Sequence, residues 1–204
     1  MQRSRRAFGF TMIEMAVTMT IFAILVALGV PAMTTWIRNN KVRTVSDSLQ
    51  TGLRLAQAES LRRSRQVVFA LTNSTTPTVI PLPAVAGGTS WAIWTLPSMA
   101  GETPQFIESG VLSNASSQVT MNTTVSTVCF NSVGRLVNNA SANVTAITGG
   151  DSCQQPTGTP PVQTFRISVP GADRPLQINL SLGGQVHMCD PGVPISAAHP
   201  EGCP

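Results

Sequence analysis

From Phe10 to Met33 the chain is apolar except at Thr11, Glu14, Thr18 and Thr20. A helix needs about 20 residues to cross a bilayer, so this run predicts a membrane-spanning helix. The helical pattern then continues in a different form. From Val42 onward, Val45, Leu49, Leu53, Ala56 and Ser60 follow at spacings of three or four. That is the period of a helix with one core-facing stripe. The other faces carry Arg38, Lys41, Arg43, Asp47, Arg54, Glu59 and Arg62. One helix is expected from about Thr11 to Arg63, bent at Pro31 and loosened near Gly29. At 1.5 Å per residue it would be roughly 80 Å long. Residues 10–33 are expected in the membrane, and residues 34–65 are expected to pack on a globular domain.

After Arg65 the pattern becomes that of strands. Gln66–Leu71, Trp91–Leu96, Thr127–Phe130, Thr164–Val169 and Leu176–Leu182 are rich in β-branched and aromatic residues. Gln185–Met188 is expected to pair back onto Leu176–Leu182 through a Gly183-Gly184 turn. Thr72–Thr89, with three prolines and Gly87-Gly88, reads as a loop or irregular edge. Asn138–Pro161, rich in Asn, Ser, Thr, Gly and Pro, reads as an exposed, variable loop. The expected fold class is α+β: a long N-terminal helix, its first half membrane-spanning, packed on a β-rich domain over residues 66–204.

Charge changes the picture only once it is divided along the chain. The formal net charge is +4. Arg3, Arg5 and Arg6 supply three of the cations; without them ten Lys and Arg face nine Asp and Glu. Trp36–Arg65 carries seven cations and two acids, whereas Gln66 onward carries three cations and six acids. The globular part is therefore acidic. The four cysteines, Cys129, Cys153, Cys189 and Cys203, contain no CxxC. An even number without metal-type spacing points to two disulfides in an oxidising compartment. Of three pairings, the sequence-local one, Cys129–Cys153 with Cys189–Cys203, is expected.

Glu14 is the anomaly in the apolar run. A carboxylate inside a membrane helix costs a few kcal/mol or more and calls for a partner. Snorkelling to the headgroups is the plain alternative. The basic residues precede the run, so the N-terminus should stay cytoplasmic. An ordinary signal peptide would have a shorter apolar core followed by a cleavage site.

Gly9-Phe10-Thr11-Met12-Ile13-Glu14 resembles the class III signal of type IV pilins and pseudopilins. The resemblance implies a type IV pilin-like fold and a leader, residues 1–9, that a prepilin peptidase cuts after Gly9. It also implies N-methylation of Phe10 and a filament-docking role for Glu14, which would meet the charged N-terminus of a neighbouring subunit. Opposite charges in a low dielectric compensate each other's burial. Two further stretches are similar to the GspH/FimT group within that superfamily. One is the helix-to-strand junction Gln57–Val67 together with Phe130-Asn131-Ser132-Val133-Gly134-Arg135, where Gly134 would supply a positive φ. The other is Met188-Cys189-Asp190-Pro191 with the closing Gly202-Cys203.

The resemblance further implies a minor pilin that primes or caps a type IV pilus. It would be a single-pass protein of the bacterial inner membrane with a periplasmic C-terminal domain, later part of a pilus or pseudopilus. The expected partners are the prepilin peptidase, other minor and major pilins and the inner-membrane assembly platform. A type II secretion pseudopilin is the second reading, and a DNA-binding pilin of natural transformation is the third. For the third, Arg135, Arg166 and Arg174 are the candidate DNA contacts. However, the Gly-Arg-x-Arg pattern linked to DNA uptake stops at Gly134-Arg135, and an acidic domain repels phosphate. Arg62, Arg63 and Arg65 are read as facing neighbours or water. No catalytic set is present: His187 and His199 lack metal-ligand spacing, and there is no GxSxG or P-loop. Neither an enzyme nor a cofactor or metal is expected.

Overall fold

The computed structural model describes residues 10–99, 101–112 and 118–204. The chain divides into two units at Ile37/Arg38. One helix, α1 (Met12–Arg63), contains the described part of the first unit except its first two residues and continues into the second. Its start is set locally. Thr11 Oγ1 accepts the Glu14 N–H at 3.3 Å, as in a Thr-x-x-Glu capping pattern. Pro31 lies within the helix, and Thr34 Oγ1 donates to its carbonyl at 2.8 Å. The helix ends in Arg62 and Arg63, and Ser64, at φ 50°, turns the chain into the first strand.

The second unit contains two antiparallel sheets. The first has the order β3 (Gln105–Val111), β2 (Ser90–Thr95), β1 (Val67–Thr72), β5 (Thr127–Phe130). The second has the order β4 (Thr120–Asn122), β6 (Val162–Ser168), β7 (Leu176–Ser181), β8 (Val186–Pro194), β9 (Gly202–Cys203), with β8 and β9 parallel. Phe69 pairs with Ile93 on one side and Val128 on the other, at the centre of the first sheet.

One stripe of α1 covers both sheets. Val42, Val45, Leu49, Leu53 and Ala56 are buried against Phe69, Trp91 and Phe130 of the first sheet and Phe165, Ile178 and Leu180 of the second. Three of the first sheet's strands, β1, β2 and β5, are buried on both faces. Val68, Ala70, Ala92, Trp94 and Cys129 point away from α1 into a second core with Leu82, Val144, Ile147 and Cys153. That is why Val67–Leu71 and Trp91–Leu96 read as continuous apolar runs and not as alternating ones.

Trp91 lies in a slot made by two glycines. A Cβ on Gly52 of α1 would stand 2.9 Å from its indole, and one on Gly110 of β3 would stand 2.5 Å away. The ring stacks on Phe69 with centroids 5.8 Å apart.

The structure corrects the expectation for Asn138–Pro161. This stretch is not simply an exposed loop. It contains a short helix, α2 (Ala142–Thr148), whose Val144, Ile147 and Thr148 are buried. Asn139 and Cys153 form a backbone bridge, and Cys153 is disulfide-bonded to Cys129 on β5. Two apolar residues one turn apart close the second core but are too few to give a readable period. Strands β3, β4 and β9 are additions to the expected set. Within Thr72–Thr89 the chain is irregular, as expected, yet Leu82 is fully buried. Gly183-Gly184 does turn β7 into β8, which runs beyond Met188 to Pro194.

Candidate functional site

The first unit offers an apolar surface. Phe10, Ile13, Phe22, Leu25 and Leu28 are all more than half exposed, and the helix has the length and composition to cross a membrane. Glu14 lies in its first turn and is exposed. Its backbone is held by the Thr11 hydroxyl, while its carboxylate has no bonded partner among the described residues. The acid therefore sits at a fixed place on an apolar rod, beside the positive end of the helix dipole. This arrangement can meet a cation from another chain. Phe10 immediately precedes the cap and is 79 % exposed. Gly9 and the leader cations Arg3, Arg5 and Arg6 lie outside the described residues.

The Gly134-Arg135 turn is built from a distance. Gly134 has φ 74°, so the left-handed conformation favours glycine there. Gln57 of α1 donates from Nε2 to the Gly134 carbonyl at 3.1 Å and to the Gly183 carbonyl at 3.3 Å. One helix side chain thus holds a turn from each sheet. Gln57 does not stand out in the sequence, because a lone glutamine carries no periodic or motif signal. Leu136 N–H donates to the Leu182 carbonyl at 3.0 Å, which places Arg135 beside the C-terminal end of β7.

Arg174 precedes the N-terminal end of β7, and Arg166 pairs across from Gln177 near that same end. At about 3.3 Å per residue, the six-residue strand separates Arg135 from Arg174 by roughly 20 Å. All three arginines are exposed, but they do not form one patch.

The arginines at the end of α1 are tied to the chain's own acids. Arg62 and Arg63 both bond Glu59, at 2.7 Å to the same oxygen. Those hydrogen bonds, Arg62's first, hold the Glu59 carboxyl at about 2. Arg65 bonds Glu102, whose carboxyl is lowered first by the Ser98 N–H and then by Arg65.

The cysteines pair as Cys129–Cys153 and Cys189–Cys203. The second bond closes the loop that carries Asp190-Pro191, and Asp190 Oδ1 accepts the Gly192 N–H at 2.8 Å. His187 is exposed on β8, and His199 lies beside Glu201 at 3.2 Å. Among the described residues, no group of three His, Cys, Asp or Glu side chains is placed to hold a metal ion.

Two family models match the sequence. The prokaryotic N-terminal methylation motif matches residues 4–30. The model described as type II transport protein GspH matches residues 45–184. No curated protein matches the chain. Among solved structures it is similar to the type IV minor pilin FimU of Pseudomonas aeruginosa, with 16 % identity over 77 % of this chain and 95 % of that one and a TM-score of 0.48. It is also similar to the minor pseudopilin EpsH from the type 2 secretion system of Vibrio cholerae, with 11 % identity over 75 % of this chain and 99 % of that one and a TM-score of 0.46. The methylation motif implies processing by a prepilin peptidase and agrees with anchoring in the inner membrane before assembly. The GspH match covers well over half of the chain and includes the stripe of α1 from Val45 onward, both sheets' central strands and the Gln57-held turns. The chain thus belongs to the GspH family of pilin-like proteins, structural subunits and not enzymes, that serve type IV pili or type II secretion.

Proposed function

We propose that this protein is a minor pilin. It is made as a precursor, cut after Gly9 and methylated on Phe10, and it joins other minor pilins to prime or cap a type IV pilus. The observation that carries the reading is the placement of Glu14, a capped first-turn acid on an otherwise apolar, exposed helix. That geometry suits docking against the charged N-terminus of a neighbouring subunit at the assembly platform of the inner membrane. The Cys189–Cys203 loop supports the pilus over the secretion system, because Met188-Cys189-Asp190-Pro191 with the closing Gly202-Cys203 resembles the C-terminus of FimT- and FimU-like minor pilins.

The second reading is a pseudopilin of a type II secretion system, and the description of the matched family favours it. The test is the yield of pili sheared from a strain lacking the gene, with a complemented strain in parallel. Lost pili restored by complementation are expected. Unchanged pili with lost secretion would transfer the protein to the second reading. Two variants test the docking assignment. Gly9→Val should leave the precursor uncut, read by mass. Glu14→Ala should be cut normally yet be missing from sheared filaments, and its normal recovery there would overturn the role of Glu14.

A further inference from the structure

Two consecutive residues of α1 hold the tip of the hairpin between β6 and β7. Arg38 Nη1 donates to the Gly171 carbonyl at 3.4 Å. Asn39 Oδ1 accepts two backbone N–H groups, from Asp173 at 3.1 Å and from Arg174 at 3.3 Å. The hairpin is shaped to receive them. Gly171 has φ 76°, a conformation that favours glycine, and a Cβ there would displace the Arg38 guanidinium. The Ala172 N–H closes the turn on the Val169 carbonyl at 3.0 Å. Val169 is itself buried in the core with α1.

The hold is polar. Arg38 and Asn39 stand about one turn ahead of Val42, the first fully buried residue of the helix. They are half-buried, and their bonds go to the backbone of an exposed turn. The hairpin tip therefore touches the start of the docked helix through three hydrogen bonds.

We propose that this hairpin tip is a latch. Arg38 and Asn39 fix the N-terminal limit of the docked part of α1, and opening the latch releases one more helical turn while the sheets stay folded. Apolar packing begins at Val42 and resists release, whereas a few surface hydrogen bonds open at little cost, at the low end of local stabilities in a fold. A subunit drawn out of a bilayer by its helix would meet this latch first. That use rests on the pilin reading; the latch itself rests only on the contacts within the chain.

The test is amide hydrogen exchange on the full chain in detergent micelles, comparing the unaltered protein with Asn39→Ala and Asn39→Asp. Asn39→Ala should speed exchange about tenfold at Asp173 and Arg174 and also at residues 40–43 of α1, with β1, β6 and β7 unchanged. Asn39→Asp keeps an acceptor oxygen and should restore protection at both places. Gly171→Ala, which displaces Arg38 from the other side, should reproduce the Asn39→Ala pattern. Faster exchange confined to Asp173 and Arg174 would overturn the latch, because the bonds would then be a surface contact that does not hold the helix. Loss of protection throughout the sheets would overturn it as well, since the latch would not open on its own.

Discussion

Phe22, in the first half of α1, leaves 63 % of its surface exposed, whereas Phe69, packed against the second half, leaves 1 %. The two phenylalanines mark two uses of one helix. Over residues 12–37 the apolar side chains are exposed on the subunit. Over residues 42–63 all of them but the half-exposed Leu61 are gathered along the stripe that two sheets cover. The hydrophobic effect acts on both halves, but the second half finds its apolar partner inside the chain and the first must find it in lipid or in other subunits. A membrane-spanning segment and a core helix are thus distinguished by how far around the helix the apolar residues extend, not by the helix itself.

The comparison can be broken by making the same change on both sides. Phe69→Ala should cost about 3–5 kcal/mol of unfolding free energy, as core phenylalanines do. Phe22→Ala should leave denaturant unfolding of the full chain in micelles unchanged. Equal losses would mean that the first half also folds against the β domain. Glycines give a sharper form of the test. Gly52→Ala should destabilise by about 1–3 kcal/mol despite the better helix former, because the new Cβ meets Trp91. At Gly29 a Cβ meets nothing within 4 Å, so Gly29→Ala should raise helix stability by up to about 1 kcal/mol.

The smallest effect is electrostatic. The Glu59 carboxyl is held at about 2 against an ordinary value of 4.5. Its contribution is therefore complete above pH 4.5 and is lost as the pH falls through about 2. The Arg62 partner is 63 % exposed, so solvent screening keeps the contribution of Glu59 to about 1 kcal/mol or less. Glu59→Gln should flatten that part of the pH–stability curve, and an unchanged slope would refute the assignment.

The features legible in the sequence have a local or periodic signature. The helix stripe, the run Val67–Leu71, the Gly183-Gly184 hairpin and the need for a positive φ at Gly134 are all of this kind. The features that stay hidden there are held by distant parts. Strand β3 is Gln-Phe-Ile-Glu-Ser-Gly-Val, an edge strand whose pairing shifts register opposite Ile93 and Trp94, so its alternation is broken. Strands β4 and β9 have three and two residues and exist because β6 and β8 lie beside them. Gln57, Gly52 and Gly110 matter through Gly183 and Trp91, which lie far from their partners in sequence. In the first unit the opposite holds. Thr11, Glu14 and the apolar run are legible because their meaning lies in four neighbouring residues and in a solvent, lipid, that any sufficiently apolar helix accepts.

The two disulfides join the first cysteine to the second and the third to the fourth, across 24 and 14 residues. Neither loop encloses or interleaves with the other. A chain that enters an oxidising space in order from its N-terminus presents Cys129 and Cys153 together before Cys189 arrives. Each thiol's native partner is then its nearest neighbour in time as well as in sequence. Oxidation can follow the order of export, with no wrong pairing to be undone afterwards.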